Sequence, residues 1–353
     1  MVARAEIERS AARTLRDGSE TTLANSYLIT GGAGFIGSHL AEALLSRGDH
    51  VVVLDNLSTG RLANLDTVGS NPNFRFVQGS VLDELAVDEL VHETDVVVHL
   101  AAAVGVKLIV EQPLRSFTTN IHGSEIVIGA AHRYRRKVFI ASTSEIYGKN
   151  DGPLRETDDR VLGPPSIARW AYSISKSVDE ILAFAYHHER GLPMVIARFF
   201  NTVGPRQSPA YGMVIPRLVR QAINDEPVTV HGDGRQTRCF CHVSDVVDGI
   251  TRLLDSSESI GEAFNVGSTE EISILDLAQR IIDKTGSSSS ITLVPYDEAY
   301  ERGFEDMRRR VPDTTKIATA TGWTATYSLD AILDDVVAEA RAELAGKAEL
   351  ENR

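Results

Sequence analysis

The stretch Ser26-Tyr27-Leu28-Ile29-Thr30-Gly31-Gly32-Ala33-Gly34-Phe35-Ile36-Gly37 passes from a short apolar run straight into a glycine-rich turn. Beyond it Ile36, Leu40, Leu44 and Leu45 keep helical spacing until Gly48 stops it. The pattern predicts strand, turn, helix. In that arrangement Gly31 makes the tight turn, Gly34 lets the backbone approach a pyrophosphate at the positive end of the helix, and Gly37 lets helix and strand pack closely. A second strand, His50 to Leu54, ends in Asp55, 18 residues past Gly37. A carboxylate there can accept both ribose hydroxyls of an adenosine and would repel a 2′-phosphate, which favours NAD over NADP.

Working outward, Phe74 to Val77, Val96 to Leu100 and Val138 to Ser142 are further short β-rich runs separated by helical stretches. This repeated alternation predicts an α/β fold, a Rossmann-type doubly wound parallel sheet, with a smaller α/β substrate-binding domain. Ligands of such sheets lie beyond the strand C-termini, so Ser80 and Val81, Leu100 to Ala103, and Thr143 to Glu145 are expected around one crevice. The expected organisation is an N-terminal extension at 1–24 and a cofactor domain at 25–200 plus about 236–258. A nucleotide-sugar domain at 201–235 and 259–345 and a tail at 346–353 complete it. The loop from Lys149 to Ile167, with Pro164-Pro165, is placed to cover a bound ligand.

The 353 residues carry 49 acidic against 36 basic side chains, a net charge of −13. That balance does not suggest nucleic acid or an anionic membrane as partner, so an anionic ligand must be met by local basic residues. The first 24 residues alternate charges with alanines and lack the apolar core of a signal peptide, and no later run is long enough to span a bilayer. Cys239 and Cys241 lie two apart in an apparent strand, on one face, where they cannot bridge each other. A reduced, cytoplasmic compartment is expected. Histidines 39, 99, 187, 188 and 242 have no metal-ligand spacing, so no metal site is expected.

Tyr172 and Lys176 stand four apart, with Val178, Ile181, Leu182 and Ala185 continuing an apolar face, so both project from one side of one helix. An ammonium held near a phenol favours the phenolate and pulls its pKa from ~10 toward neutrality. Tyr172 is therefore expected to take a hydroxyl proton while a hydride leaves the same carbon.

The motifs TGGAGFIGSHL (30 to 40), DNLSTGR (55 to 61), HLAA (99 to 102), STSEIYG (142 to 148), YSISK (172 to 176), RFFNTVGPR (198 to 206), RCFCHVSDV (238 to 246) and FNVGS (264 to 268) occur in this order. Together they resemble the extended short-chain dehydrogenase/reductases that act on nucleotide sugars. The resemblance implies a cofactor set of Gly31, Gly34, Phe35, Ile36, Gly37, Asp55, Asn56, Ser80, Val81, Leu100, Ala101 and Ala102, joined by Tyr172 and Lys176. Ser80 stands where many relatives have Asp, which passes an adenine contact to its hydroxyl or to backbone.

Within that group Thr143-Ser144-Glu145 is similar to UDP-glucuronate decarboxylases, including the decarboxylase domain of the lipid-A aminoarabinose pathway. Dehydratases resemble Thr-Asp-Glu there, and simple 4-epimerases usually lack the Glu. Arg169-Trp170, Arg238-Cys239-Phe240 and the segment Gly303 to Asp313 point the same way, the last placing Arg310 as an active-site arginine. The implied catalytic set is Thr143, Glu145, Tyr172, Lys176 and Arg310, and the implied substrate set is Ser144, Asn201, Arg217, Arg238 and Arg310. The implied reaction is oxidation of UDP-glucuronic acid at C4 by NAD, followed by loss of carbon dioxide. Either the UDP-4-keto-pentose is released or it is reduced to UDP-xylose. A 4-epimerase of UDP-glucuronate or UDP-glucose, a nucleotide-sugar 4,6-dehydratase, or an NAD-binding regulatory protein are the alternatives. A homodimer through a four-helix bundle is also implied.

Overall fold

The computed structural model describes residues 24–104, 113–167, 169–208, 213–299 and 307–351. Seven parallel strands form the main sheet, in the order Glu262–Val266, Met194–Phe199, Lys137–Thr143, Val96–His99, Ser26–Thr30, His50–Asp55 and Phe74–Gln78. Alternate side chains feed two cores. Tyr27, Ile29, Val51, Val53, Val98 and Phe139 enter one, while Leu28, Leu54, Val97, Val138 and Ile140 enter the other. Burial on both faces explains why these strands read as continuous apolar runs rather than as alternating ones.

The chain leaves Ser26–Thr30 in one direction and returns on its other side at Val96–His99, which opens a crevice beyond the C-terminal ends of these strands. Gly31 occupies that point with φ of +74°, and a Cβ there would stand 2.8 Å from the Ala101 backbone. Only glycine meets both demands. The helix Phe35–Ser46 follows, and a Cβ on Gly37 would come within 2.5 Å of the Gly31 carbonyl oxygen. Both requirements match the readings of Gly31 and Gly37 from sequence.

A third core gathers the helices Val214–Ile223 and Ile274–Thr285 and the start of Leu329–Glu351. Beside it lies a four-stranded sheet ordered Glu271–Ser273, Thr237–Cys239, Arg309–Pro312, Pro153–Leu154.

Four features differ from the expected organisation. Glu262–Val266, assigned with the substrate part, is the edge strand of the main sheet, because Ala263, Phe264 and Val266 bury against its cores. Thr237–Cys239, assigned with the cofactor part, pairs instead in the four-stranded sheet. Residues 346–351 continue the last helix, in keeping with their helix-forming alanine, leucine, glutamates and lysine. Cys239 ends one strand and Cys241 begins another, so they share no strand; both are free and buried. Residues 1–23 of the N-terminal extension, Gly303 to Asp306 and the Arg169 side chain lie outside the described residues. No helix among the described residues is long and apolar enough to cross a membrane.

Candidate functional site

A cavity of about 790 Å³ opens at the crevice, lined by Gly31, Gly34, Phe35, Ile36, Gly37, Asp55, Asn56, Ser80, Val81, Leu100, Ala101 and Ala102. Thr143, Ser144, Glu145, Tyr172, Lys176, Asn201, Arg217, Arg238 and Arg310 line the same cavity. All the residues singled out from sequence are thus brought together. Their spread along the chain is resolved by topology: the glycine turn, Asp55 and Thr143 stand at C-terminal strand ends of the main sheet, Tyr172, Lys176 and Arg217 on helices, and Arg238 and Arg310 in the four-stranded sheet.

At the glycine turn, Asp55 Oδ2 accepts from the Ala33 amide at 3.0 Å and Oδ1 from the Leu57 amide at 2.8 Å. Burial raises the Asp55 carboxyl, and these two amides oppose the shift. Each oxygen keeps a lone pair for a hydroxyl. The turn and this carboxylate fit a dinucleotide on observed geometry: Gly31, Gly34 and Gly37 line the cavity with Asp55, and a Cβ at Gly34 would stand 3.0 Å from the Gly31 carbonyl oxygen on the lining side of the turn.

Deeper in, Lys137–Thr143 runs into a 3₁₀ turn, Ser144–Tyr147, capped by Thr143 Oγ1 accepting from the Glu145 amide at 3.2 Å. The cap fixes the threonine side chain while its hydroxyl hydrogen stays available. Tyr172 and Lys176 reach the cavity from the helix Arg169–Arg190. Burial pushes the Tyr172 hydroxyl well above its ordinary value, and the Glu145 and Asp179 carboxylates push the same way. The expected fall toward neutrality is therefore not produced by the protein's own groups. Lys176 Nζ is held 2.9 Å from Asp179 Oδ2, both side chains buried, so its charge is largely matched before Tyr172 feels it.

On the opposite wall Arg238 and Arg310 are register partners in adjacent parallel strands. Arg310 donates to a Glu145 carboxylate oxygen and, at 2.5 Å, to Asn201 Oδ1. Its Nε is buried without a hydrogen-bond partner. Asn201, at φ of +24°, also donates to the Cys239 carbonyl at 2.8 Å. Arg309 points the other way and pairs with Glu271 at 2.9 Å, and Arg308 is exposed. Arg217 is anchored on the Thr229 carbonyl at 2.8 Å.

Residues that sequence reading did not single out complete the lining, among them Arg61, Arg206, His231, Gln236 and Tyr296. Arg61 and Arg206 sit inside motifs already quoted, which was the available signal. Arg206 bridges back to the glycine-turn helix through Glu42 at 2.6 Å. The loop from Lys149 to Ile167 contributes nothing to the described lining. It is stapled by the pairing of Pro153 and Leu154 with Val311 and Pro312, and so supports the strand that carries Arg310.

Residues 28–336 match the family described as GDP-mannose 4,6 dehydratase. A UDP-N-acetyl-alpha-D-glucosaminuronate decarboxylase of Bacillus cytotoxicus is 44% identical, the alignment covering 82% of this chain and 89% of that one. UDP-glucuronic acid decarboxylase 1 of Xenopus tropicalis is 34% identical over 88% of this chain and 71% of its own length. Among solved structures, the Bacillus cereus UDP-glucuronic acid 4-epimerase in complex with UDP-glucuronic acid and NAD superposes with a TM-score of 0.81 at 30% identity, covering 90% of this chain and 99% of that one. The seven-stranded parallel sheet, the glycine turn and this match along nearly the whole chain agree: the chain belongs to the GDP-mannose 4,6-dehydratase family of extended short-chain dehydrogenase/reductases.

Proposed function

We propose that this protein is an NAD-dependent UDP-glucuronic acid decarboxylase. The observation that carries the reading is the placement of Arg310 against Glu145 across a cavity that also presents Thr143 and Tyr172. A fork-shaped cation beside a hydride-transfer pair suits a sugar that carries a carboxylate next to the carbon being oxidised. Relatives named as decarboxylases of hexuronates support the same reading.

In this reading the main sheet and its crevice hold the dinucleotide at Gly31, Gly34, Gly37 and Asp55, while Asn201, Arg217, Arg238 and the smaller layers hold the nucleotide sugar. NAD supplies the hydride acceptor when bound. Tyr172 removes the O4 proton, with the Thr143 hydroxyl placed to relay it. The resulting 4-ketone makes the C5 carboxylate a β-keto acid, and the electrons of the breaking C–C bond pass to the ketone oxygen as an enolate. Tyr172 and Thr143 donate to that oxygen. Arg310 orients the carboxylate, which takes over the guanidinium position that Glu145 holds in the structure. Glu145 is thereby released toward the sugar, where it positions the ring or a water for proton exchange at C5.

The 44% identical relative acts by name on the N-acetylated hexuronate, so the substituent at C2 is a second reading of substrate within the same reaction. A homodimer is also part of the reading. Leu114 and Ile181, 83% and 57% exposed, sit on neighbouring helices and offer an apolar face for a second copy. The test is incubation of the protein and NAD separately with UDP-glucuronic acid and with its 2-acetamido counterpart, followed by product mass. Loss of carbon dioxide from the first supports the proposal; an unchanged mass with a new epimer overturns it.

A further inference from the structure

The helix Arg169–Arg190 carries a buried acid that the reaction scheme above does not use. Asp179 is 1% exposed, and its Oδ2 stands 2.9 Å from the Nζ of Lys176, itself 2% exposed. Its other oxygen, Oδ1, is buried as well. An uncompensated carboxylate in that position would be strongly unfavourable, so the pair exists because each member neutralises the other. We propose that Asp179 is a positioning residue for the Tyr172–Lys176 pair: its carboxylate fixes Lys176 Nζ and cancels much of the ammonium's charge toward the Tyr172 hydroxyl.

The groups around the pair leave this role to Asp179. From Val96–His99 comes His99, fully buried between Thr30 Oγ1 at 2.8 Å and Ser124 Oγ at 3.0 Å, and burial, with the nearby Lys176, pushes it down to about 3, so it brings no charge. From Pro113–Phe117, packed on the same helix, comes the cation Arg115 of the cavity lining, which adds no acid, and from the helical stretch Thr118–Arg133 come the neutral Asn120 and Ser124. Glu180, next along the helix, is held by Nε and Nη2 of Arg198 at 3.0 and 2.7 Å. Glu145, from the 3₁₀ turn, is engaged by Arg310. Lys176 thus shares the Tyr172 face of its helix, and Asp179 is the acid that holds it. Consistently, Asp179 adds to burial in raising the Tyr172 hydroxyl.

The inference rests on the reading of Tyr172 as the base for C4 oxidation, so its deciding readout is a titration made without substrate. The NAD-loaded protein is titrated by the ultraviolet band of tyrosinate, with Tyr172→Phe subtracted to isolate Tyr172, and Asp179→Asn and Asp179→Ser are compared with the parent. Removing the carboxylate should lower the Tyr172 midpoint by about one unit, roughly 10-fold more phenolate at a given pH below it. The acid limb of NADH formation from UDP-glucuronic acid should move down in pH with it. A midpoint that stays or rises in both variants overturns the proposal. Failure of both variants to fold also overturns it, because Asp179 would then serve the fold. A shifted midpoint in a protein that does not turn over UDP-glucuronic acid would refute the substrate reading and leave this inference standing.

Discussion

Arg310 reaches across the cavity to the carboxylate of Glu145, 165 residues earlier in the chain, and its own strand holds it in register beside Arg238. Strand alternation turns Arg309 away from the cavity, and Arg308 stands before the strand and is exposed. Arg309, on the opposite face, is taken up by Glu271. The cavity therefore holds two guanidiniums side by side, and that of Arg310 is matched by the Glu145 carboxylate.

Truncating Arg310 should strike decarboxylation and spare the dinucleotide. Arg310→Ala is expected to lose on the order of 2 to 4 kcal/mol of stabilisation, roughly 30-fold to 1000-fold in carbon dioxide release. Glu145→Gln should fall heavily as well. Arg310→Lys should recover only part of the loss, because an ammonium keeps the charge without the fork. Rates measured alongside NAD affinity check this, and the parental rate in Arg310→Ala would reduce that arginine to a structural one.

Asp55 should decide between dinucleotides. Asp55→Asn weakens two charge-assisted hydroxyl contacts, worth about 1.5 to 3 kcal/mol each at most. NAD affinity is expected to fall roughly 10-fold to 100-fold while the handicap against NADP shrinks. Titration of purified protein with both dinucleotides reads this directly, and unchanged discrimination would show that Asp55 does not face the adenosine ribose.

Beneath the site, Arg198 joins the main sheet to the tyrosine helix. It pairs with Glu180, which also accepts from the Ser142 hydroxyl, and donates to the Tyr147 hydroxyl at 2.8 Å and to the Glu156 carbonyl at 3.0 Å. Arg198→Met leaves Glu180 buried and uncompensated, so stability should fall by about 3 to 5 kcal/mol. Adding Glu180→Gln should return part of that loss. Urea unfolding of the two variants measures it, and a single variant as stable as the parent would mean the pair is dispensable.

Leu114→Glu or Ile181→Glu should convert a dimer into a monomer in sedimentation without changing the melting of the main sheet, since both side chains are exposed in the single chain. An unaltered oligomeric state would place the contact elsewhere.

Much of this organisation was legible in the sequence because the signals are local. The glycine spacing and Asp55 demand a particular turn, and helical spacing alone sets Tyr172 and Lys176 on one face. Sheet membership was not legible for Glu262–Val266 or Thr237–Cys239, because pairing is decided by distant partners. The Lys149 to Ile167 loop reads as a cover from composition, yet two residues of strand pairing make it a support. The electrostatics of Tyr172 differ from the sequence expectation for a local reason. Asp179 lies three residues beyond Lys176 on the same helix, a spacing that brings side chains together, and it engages the ammonium.

The most direct measurement of the central claim is carbon dioxide released per molecule of UDP-glucuronic acid consumed by the purified protein with NAD, using substrate labelled at the carboxyl carbon. The account predicts one labelled carbon dioxide for each substrate lost, with a UDP-pentose or UDP-4-keto-pentose as product and none in Tyr172→Phe. Consumption of UDP-glucuronic acid with the label retained in a UDP-hexuronate would contradict it.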